Sequence, residues 1–219
     1  MTNKNDKGNY VLAIESAIGE GSLALLNGNG WELAAKVGGV SRAEQILDGM
    51  EEILQSAGID ISEVNQIAVS VGPGSFTGIR IGISTALGLS KALDIGCVGF
   101  SAFEALATTL PDRDRSVVLP LGRNMYAVQN FSASPPKGGT THEPEFVNEN
   151  VLINLFQISG RYFLLHPSIP ENSLRIAKFA EGKRNFVKCT SNIARLIGNA
   201  GVAGLGSKKL APIYLRPRS

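Results

Sequence analysis

An α/β fold fed by parallel crossovers is predicted by three observations. Three short β-rich runs separated by Gly- and Asn-rich turns open the chain, a helix of strict 3.6-residue period follows, and strands and helices then alternate to about residue 110. The first run is residues 10–16, the second 22–26 and the third 31–37, with Asn27-Gly28-Asn29-Gly30 as a tight-turn signal between the last two. The helix over 41–57 opens with a capping box of Ser41 and Glu44, repeats apolar residues at Ala43, Ile46, Leu47, Met50, Ile53, Leu54 and Ala57, and stops at Gly58. Residues 66–71 read as a buried strand that runs through a Gly-rich turn into a helix ending near Leu93. A strand over 97–100 precedes a second capping box, Ser101 with Glu104, and a helix that Pro111 closes.

The charged stretch 111–116 is the one sharp change of composition and marks the expected domain boundary, after a disordered leader (1–9) and a first lobe (10–110). The second lobe (111–219) reads as a looser echo of the first. It has a hairpin of strands 117–121 and 125–131 around Gly122-Arg123-Asn124, a loop over 132–139, a helix over 150–157, a strand over 161–166, and helices over 173–180 and 191–200.

The 219 residues suffice for a buried core, and a 43% hydrophobic, 18% charged composition argues against global disorder. With 21 Lys and Arg against 19 Asp and Glu, the net charge of +2 excludes a nucleic-acid binder that works by bulk charge, though not a local basic patch. Two cysteines, Cys97 and Cys189, make neither a disulfide framework nor a four-ligand zinc site, and are expected as small buried residues of a reducing cytosol. The polar leader lacks the apolar stretch of a signal peptide, and no uncharged run is long enough for a membrane span, so a cytoplasmic location is expected.

Gly72-Pro73-Gly74-Ser75-Phe76-Thr77-Gly78-Ile79-Arg80 carries the most chemical content. A strand, a Gly-rich turn and a helix N-terminus can hold a phosphate. Yet Gly78 is followed by Ile79 rather than Lys, the spacing is one residue too long for a dinucleotide fingerprint, and Pro73 stands where a nucleophile elbow needs Gly. The alternative is a tight turn that brings the next helix close to a neighbour. Gly78, Gly82 and Ala86 recur every four residues along that helix, with Thr85 and Leu89 beside them. Because each helical glycine costs about 1 kcal/mol against Ala, the ridge calls for close approach by another helix, of this chain or of a partner.

Metal and hydrolytic chemistry find little support. His142 and His166 are not spaced as zinc ligands on one helix, no Ser/His/Asp set is placed, and Glu15 at the end of the first strand is a lone carboxylate. Arg113, Arg115 and Arg123 read as scattered, solvated turn residues.

Taken together, Leu12-Ala13-Ile14-Glu15-Ser16 with Gly21-Ser22-Leu23-Ala24-Leu25, the block Ser70-Val71-Gly72-Pro73-Gly74-Ser75-Phe76-Thr77-Gly78-Ile79-Arg80-Ile81-Gly82, then Ala86-Leu87-Gly88-Leu89-Ser90-Lys91-Ala92, and the terminal Pro212-Ile213-Tyr214-Leu215-Arg216 resemble the TsaB (YeaZ) family. The resemblance implies an actin/hexokinase-like (ASKHA) fold of two lobes, each a mixed β-sheet with helices. It also implies a role in making threonylcarbamoyladenosine in tRNA, as a non-catalytic partner of a TsaD-like catalytic subunit that recruits a TsaE-like ATPase, with tRNA reached through the complex. For the isolated chain a homodimer through the same surface and a monomer both stay open, and no cofactor is implied. TsaD enzymes hold a metal through paired histidines on the first N-lobe helix, whereas here Ser41-Arg42-Ala43-Glu44-Gln45-Ile46-Leu47 has none. Glu15 replaces the family's usual Asp, and Leu121-Gly122-Arg123 replaces Asp-Ala-Arg. The expected partner surface is therefore the pair of N-lobe helices, with Ile46 and Met50 on the first and Gly78, Gly82, Thr85, Ala86 and Leu89 on the second, and the 72–78 loop and Arg80 beside it. The rival readings are a metal-dependent, glycoprotease-like peptidase and a nucleotide-binding ASKHA module, with direct tRNA binding a third that net charge leaves open.

Overall fold

In the computed structural model, which describes residues 9–122, 124–133, 143–157, 161–190 and 192–215, the opening meander forms because each of its turns is built locally. The Asn27 side chain accepts the backbone N–H groups of Asn29 and Trp31, closing the hairpin between β2 (Ser22–Asn27) and β3 (Glu32–Val37). β1 (Tyr10–Glu15) pairs antiparallel with β2 and parallel with β4 (Val64–Ser70), which pairs parallel with β5 (Gly96–Phe100). The sheet order is β3-β2-β1-β4-β5.

The helix α1 (Ala43–Ala57) begins one residue later than its sequence suggests. Gln45 rather than Glu44 reaches back, its Oε1 accepting the N–H groups of Ser41 and Arg42. Gly58, at φ +67°, ends the helix as expected. A 3-10 turn at Ile61–Glu63 leads into β4. Ser75 caps α2 (Phe76–Leu93), accepting the Gly78 N–H. The helix α3 (Ala102–Ala107) is shorter than expected and ends well before Pro111, where the Thr108 and Thr109 hydroxyls donate to the Ala105 and Leu106 carbonyls.

The second sheet follows with β6 (Arg115–Gly122), β7 (Met125–Phe131), β8 (Glu145–Asn148), α4 (Glu149–Phe156), β9 (Tyr162–Leu165), α5 (Ser168–Asn172), α6 (Leu174–Ala180), β10 (Phe186–Lys188) and α7 (Ile193–Val202). Its order, β10-β9-β6-β7-β8, repeats the first sheet's pattern of two antiparallel and two parallel pairings. β8, α5 and β10 are additions to the sequence reading. Residues 1–8 of the leader, Arg123, most of the 132–139 loop, His142, Ser191 and Arg216 lie outside the described residues.

The layers define three cores. α1 and α2 cover one face of the first sheet around Leu12, Ile14, Leu25, Ile46 and Met50. α4, α5 and α6 cover the outer face of the second sheet around Leu152, Phe156, Phe163 and Ile176. Between the sheets, α3 and α7 join Leu26 and Ala68 of the first to Val117 and Leu119 of the second. The helices are exchanged: α7, although it follows β10, lies on β1, β2 and β4, while α3 of the first lobe reaches β6. The chain beyond α7 also returns to the first sheet, since Ser207 exchanges both backbone hydrogen bonds with Gly99 and the Ile213 N–H donates to the Val71 carbonyl. α7 and the described residues after it thus pack on the first sheet, although they follow the last strand of the second. The result is a two-lobed α/β molecule of the ASKHA kind.

Candidate functional site

The end of β1, the turn after it and the Gly-rich loop form one packed unit. Glu15 is fully buried, and its Oε1 accepts the N–H groups of Ala17 (2.6 Å) and Ile18 (2.9 Å). Burial pushes its carboxyl up to about 7 against the pull of those two bonds. The carboxylate is thus spent on the turn and does not face the cleft. The Ser16 hydroxyl donates to the Gly78 carbonyl, and the Ser75 N–H donates to the Ala17 carbonyl. A Cβ on Gly74 would overlap the Ala17 carbonyl, one on Gly78 the Ser16 carbonyl, and one on Gly82 the Ser16 hydroxyl.

This corrects the expected interface. The Gly78, Gly82 and Ala86 ridge faces its own β1–β2 turn and sheet, and all three residues are buried, as are Ile46 and Met50. The close approach that the glycines call for is to a turn of the same chain and not to a helix of a partner. Thr85 and Leu89 are half-buried beside them. Within the loop, Gly72 and Pro73 are buried and Gly74 half-buried, whereas Ser75, Phe76, Thr77 and Arg80 are exposed. The Ser75, Gly78 and Ile79 N–H groups are all taken by the Ala17 carbonyl, the Ser75 hydroxyl and the Ser75 carbonyl. These bonds build the tight turn that one of the two readings expects.

The outward face of the same helices carries Leu47 on α1 and Leu87 on α2, each 49% exposed. Gly88 sits in the middle of α2 on that side, and a Cβ there would meet nothing within 4 Å. Nothing among the described residues accounts for a helical glycine at that position.

A cleft of about 710 Å³ opens between the lobes, lined by Gly19, Glu20 and Ser75 from one side and Leu121, His166 and Glu171 from the other. Glu20 and Glu171 give it negative charge, and none of its described lining residues is Lys or Arg, an unfavourable setting for phosphates. The His166 Nδ1 is 2.8 Å from the Ser168 hydroxyl, and burial holds its ring down at about 4, so it is neutral near pH 7. His142 lies outside the described residues, among which no group of three His, Cys, Asp or Glu side chains could hold a metal.

Sequence reasoning missed two features. Arg115 is buried, its Nε donating to the Ala107 carbonyl at 2.7 Å and its Nη1 to the Arg113 carbonyl at 2.9 Å, so it fastens α3 to the start of β6. Tyr214 lies on Phe76 with ring centroids 4.9 Å apart, which brings the terminal motif onto the Gly-rich block. The grouping of those blocks in one resemblance was the available signal. Cys97 and Cys189 are free, half-buried and buried, with burial raising their thiols to about 11 and about 12. No helix among the described residues is long and apolar enough to cross a membrane.

Residues 32–128 match the TsaD family, described as tRNA N6-adenosine threonylcarbamoyltransferase. The Escherichia coli tRNA threonylcarbamoyladenosine biosynthesis protein TsaB is 33% identical over 97 residues, 44% of this chain and 42% of that protein. The Haemophilus influenzae TsaB is 31% identical over 97 residues, 44% of this chain and 41% of its own length. A tRNA N6-adenosine threonylcarbamoyltransferase of Geotalea uraniireducens is 32% identical over 130 residues, 58% of this chain and 31% of that enzyme. The matches with the two TsaB proteins thus span about two fifths of their length. Among solved structures, YeaZ from Pseudomonas aeruginosa superposes with a TM-score of 0.66 at 18% identity, over 94% of this chain and 100% of that one. The ethanolamine utilization protein EutJ from Carboxydothermus hydrogenoformans superposes at 0.57 and 12%, over 88% and 90%. Both likenesses speak to the fold, which YeaZ shares across nearly the whole chain.

Proposed function

We propose that this TsaB/YeaZ-like chain is an accessory subunit of tRNA threonylcarbamoyladenosine biosynthesis, and that it works by pairing with a TsaD-like catalytic subunit rather than by turning over substrate itself. The observation that carries the reading is the state of Glu15. The carboxyl at the end of β1 is buried and bonded to its own backbone rather than open to the cleft. Names borne by relatives over part of this chain point to the pathway. The partner surface is the outward flank of α1 and α2, around Leu47, Leu87 and Gly88, and not the buried ridge at Gly78 and Gly82. An exposed glycine in mid-helix lets a second helix approach closely, which offsets a cost of about 1 kcal/mol against Ala. A TsaE-like ATPase would join the assembled pair, and the same apolar flank would support a homodimer when the chain is alone.

Deleting the gene in its own cell should abolish or sharply lower threonylcarbamoyladenosine in bulk tRNA, measured by nucleoside mass spectrometry. Unchanged levels would refute the reading. Gly88→Leu should reduce co-purification of the TsaD-like partner at least severalfold while the melting temperature holds or rises, and undiminished recovery would remove the flank from the interface. The cleft favours neither rival. Calorimetry with ATP is expected to show no saturable binding, and stoichiometric zinc or iron in purified protein would revive the peptidase reading.

A further inference from the structure

Arg80, Phe76 and Tyr214 form a stack on the surface that nothing above uses. Phe76 is 54% and Tyr214 39% exposed, the rings are tilted by 36°, and the Arg80 guanidinium lies 4.5 Å from the Phe76 centroid. Two of these groups come from the first turns of α2 and the third from the end of the chain. The backbone is what brings them together: the segment that delivers Tyr214 is fastened by the paired Gly99 and Ser207 bonds and by the Ile213 N–H on Val71. Isolated exposed apolar residues need no explanation. Two aromatic rings and a guanidinium collected from distant segments and left in solvent form a surface with flat, cationic character.

The segment that delivers Tyr214 is basic. Residues 205–215 carry Lys208 and Lys209 and no acid. Both are exposed, and neither they nor Arg80 takes part in an ion pair among the described residues. Glu104, which lines the apolar groove beside Lys209, is the one carboxylate there. Guanidinium and aromatic faces stack on unpaired bases, and flanking lysines neutralise phosphates.

We infer that the Arg80–Phe76–Tyr214 stack is a contact for an unpaired base of a structured RNA, with Lys208 and Lys209 meeting the adjoining backbone. The choice of RNA rests on the tRNA-modification reading above. The test is fluorescence anisotropy of the full chain with an unmodified tRNA transcript, and with a blunt RNA duplex of equal length, at low salt. The wild-type chain should bind the tRNA with an affinity that falls as salt rises. Phe76→Leu and Tyr214→Leu, which keep apolar bulk but lose the ring, should each weaken tRNA binding about tenfold and leave the duplex unaffected. Lys208→Ala with Lys209→Ala should weaken both RNAs and flatten the salt dependence. If Tyr214→Leu fails to fold, the solvent-exposed Arg80→Gln carries the same comparison. No tRNA binding by the wild type, unchanged affinity in the ring variants, or equal displacement by polyglutamate, which would mark an acidic-protein surface, each overturns the inference. A chain that restores modification in the deleted cell but fails to bind tRNA overturns this contact alone. A chain that binds yet fails to restore it overturns the proposed function and leaves the contact standing.

Discussion

The two sheets share one topology and differ in how their outer helices are seated. In the first lobe, α1 and α2 run for 15 and 18 residues, and α2 is drawn onto the β1–β2 turn by glycines with no room for a Cβ. In the second lobe the helices of α4, α5 and α6 are 8, 5 and 7 residues long and rest on a cluster of phenylalanines, with Phe156 and Phe163 edge to face at 4.9 Å. One lobe is held by close backbone approach and the other by bulky side chains. The first arrangement leaves α2 little room to shift against the β1–β2 turn and suits a surface that must match a partner. The second tolerates change, because rings can repack.

The sharpest way to break this contrast is a single methyl group. Gly78→Ala would put a Cβ into the Ser16 carbonyl, where backbone meets backbone and no side chain can yield. We expect a loss on the order of 4 kcal/mol or more in urea unfolding, since overlap of this kind belongs among the most damaging substitutions. Gly82→Leu should likewise unfold the monomer, so it cannot serve as a probe of partner binding. A near-neutral Gly78→Ala would show that the turn moves freely, and that the first lobe is as forgiving as the second.

The exchange of helices provides the next test. Ile197 of α7 and Ile176 of α6 are both fully buried, in different cores. Replacing either by Ala should cost about 2–5 kcal/mol. Hydrogen exchange should separate them: Ile197→Ala is expected to expose β1 and β2 although it lies far along the chain, whereas Ile176→Ala should leave them protected. Loss of protection in the second sheet alone from Ile197→Ala would contradict the packing of α7 on the first.

These differences explain what could be read in advance. α1 was legible because seven apolar positions repeat at helical spacing and a glycine stops them, and β4, α2 and β5 because Gly-rich punctuation separates apolar runs. β8, α5 and β10, at four, five and three residues, are too short to establish a period. The destination of α7 was not legible at all, since an amphipathic pattern shows which face is buried and not which sheet buries it. The same gap misplaced the site. Spacing of four residues announced close packing at Gly78 and Gly82 but could not say against what, and the apolar face holding Ile46 and Met50 was assigned to a partner when its own sheet claims it. Arg115 looked like one more turn cation because its carbonyl acceptors, on Ala107, Pro111 and Arg113, carry no side-chain signal.

Two buried groups whose shifts fall between pH 4 and 7, Glu15 in the first lobe and His166 in the second, pull stability in opposite directions. The Glu15 carboxyl is raised from 4.5 to about 7, so between those values the folded chain keeps a proton that the unfolded chain releases, and stability falls as pH rises. The His166 ring is lowered from 6.5 to about 4, so across that window the unfolded chain holds the extra proton, and stability rises with pH. Each amounts to roughly 3 kcal/mol at 1.36 kcal/mol per unit. Between about 4.5 and 6.5 the two oppose each other, leaving a decline towards pH 7 that belongs to Glu15. Glu15→Gln, which can still accept the Ala17 and Ile18 N–H groups, should turn the profile into a rise, and His166→Asn should steepen the fall. Urea midpoints from pH 4.5 to 8 check both, and a Glu15→Gln profile parallel to wild type would remove the buried carboxyl from the account.

The smallest effect returns to the outer flank of the first lobe. Gly88 has open space where its Cβ would be, unlike Gly78 and Gly82 on the same helix. Gly88→Ala should therefore stabilise the isolated chain by up to about 1 kcal/mol, the ordinary helix propensity difference. The same methyl group should slightly weaken association with the partner if a second helix packs there, so melting temperature and affinity would move in opposite directions. That divergence separates a glycine kept for an interface from one that merely lowers stability. If Ala at this position raises both, the flank owes nothing to close approach, and the contrast between a precisely seated first lobe and a tolerant second one must rest on the buried glycines alone.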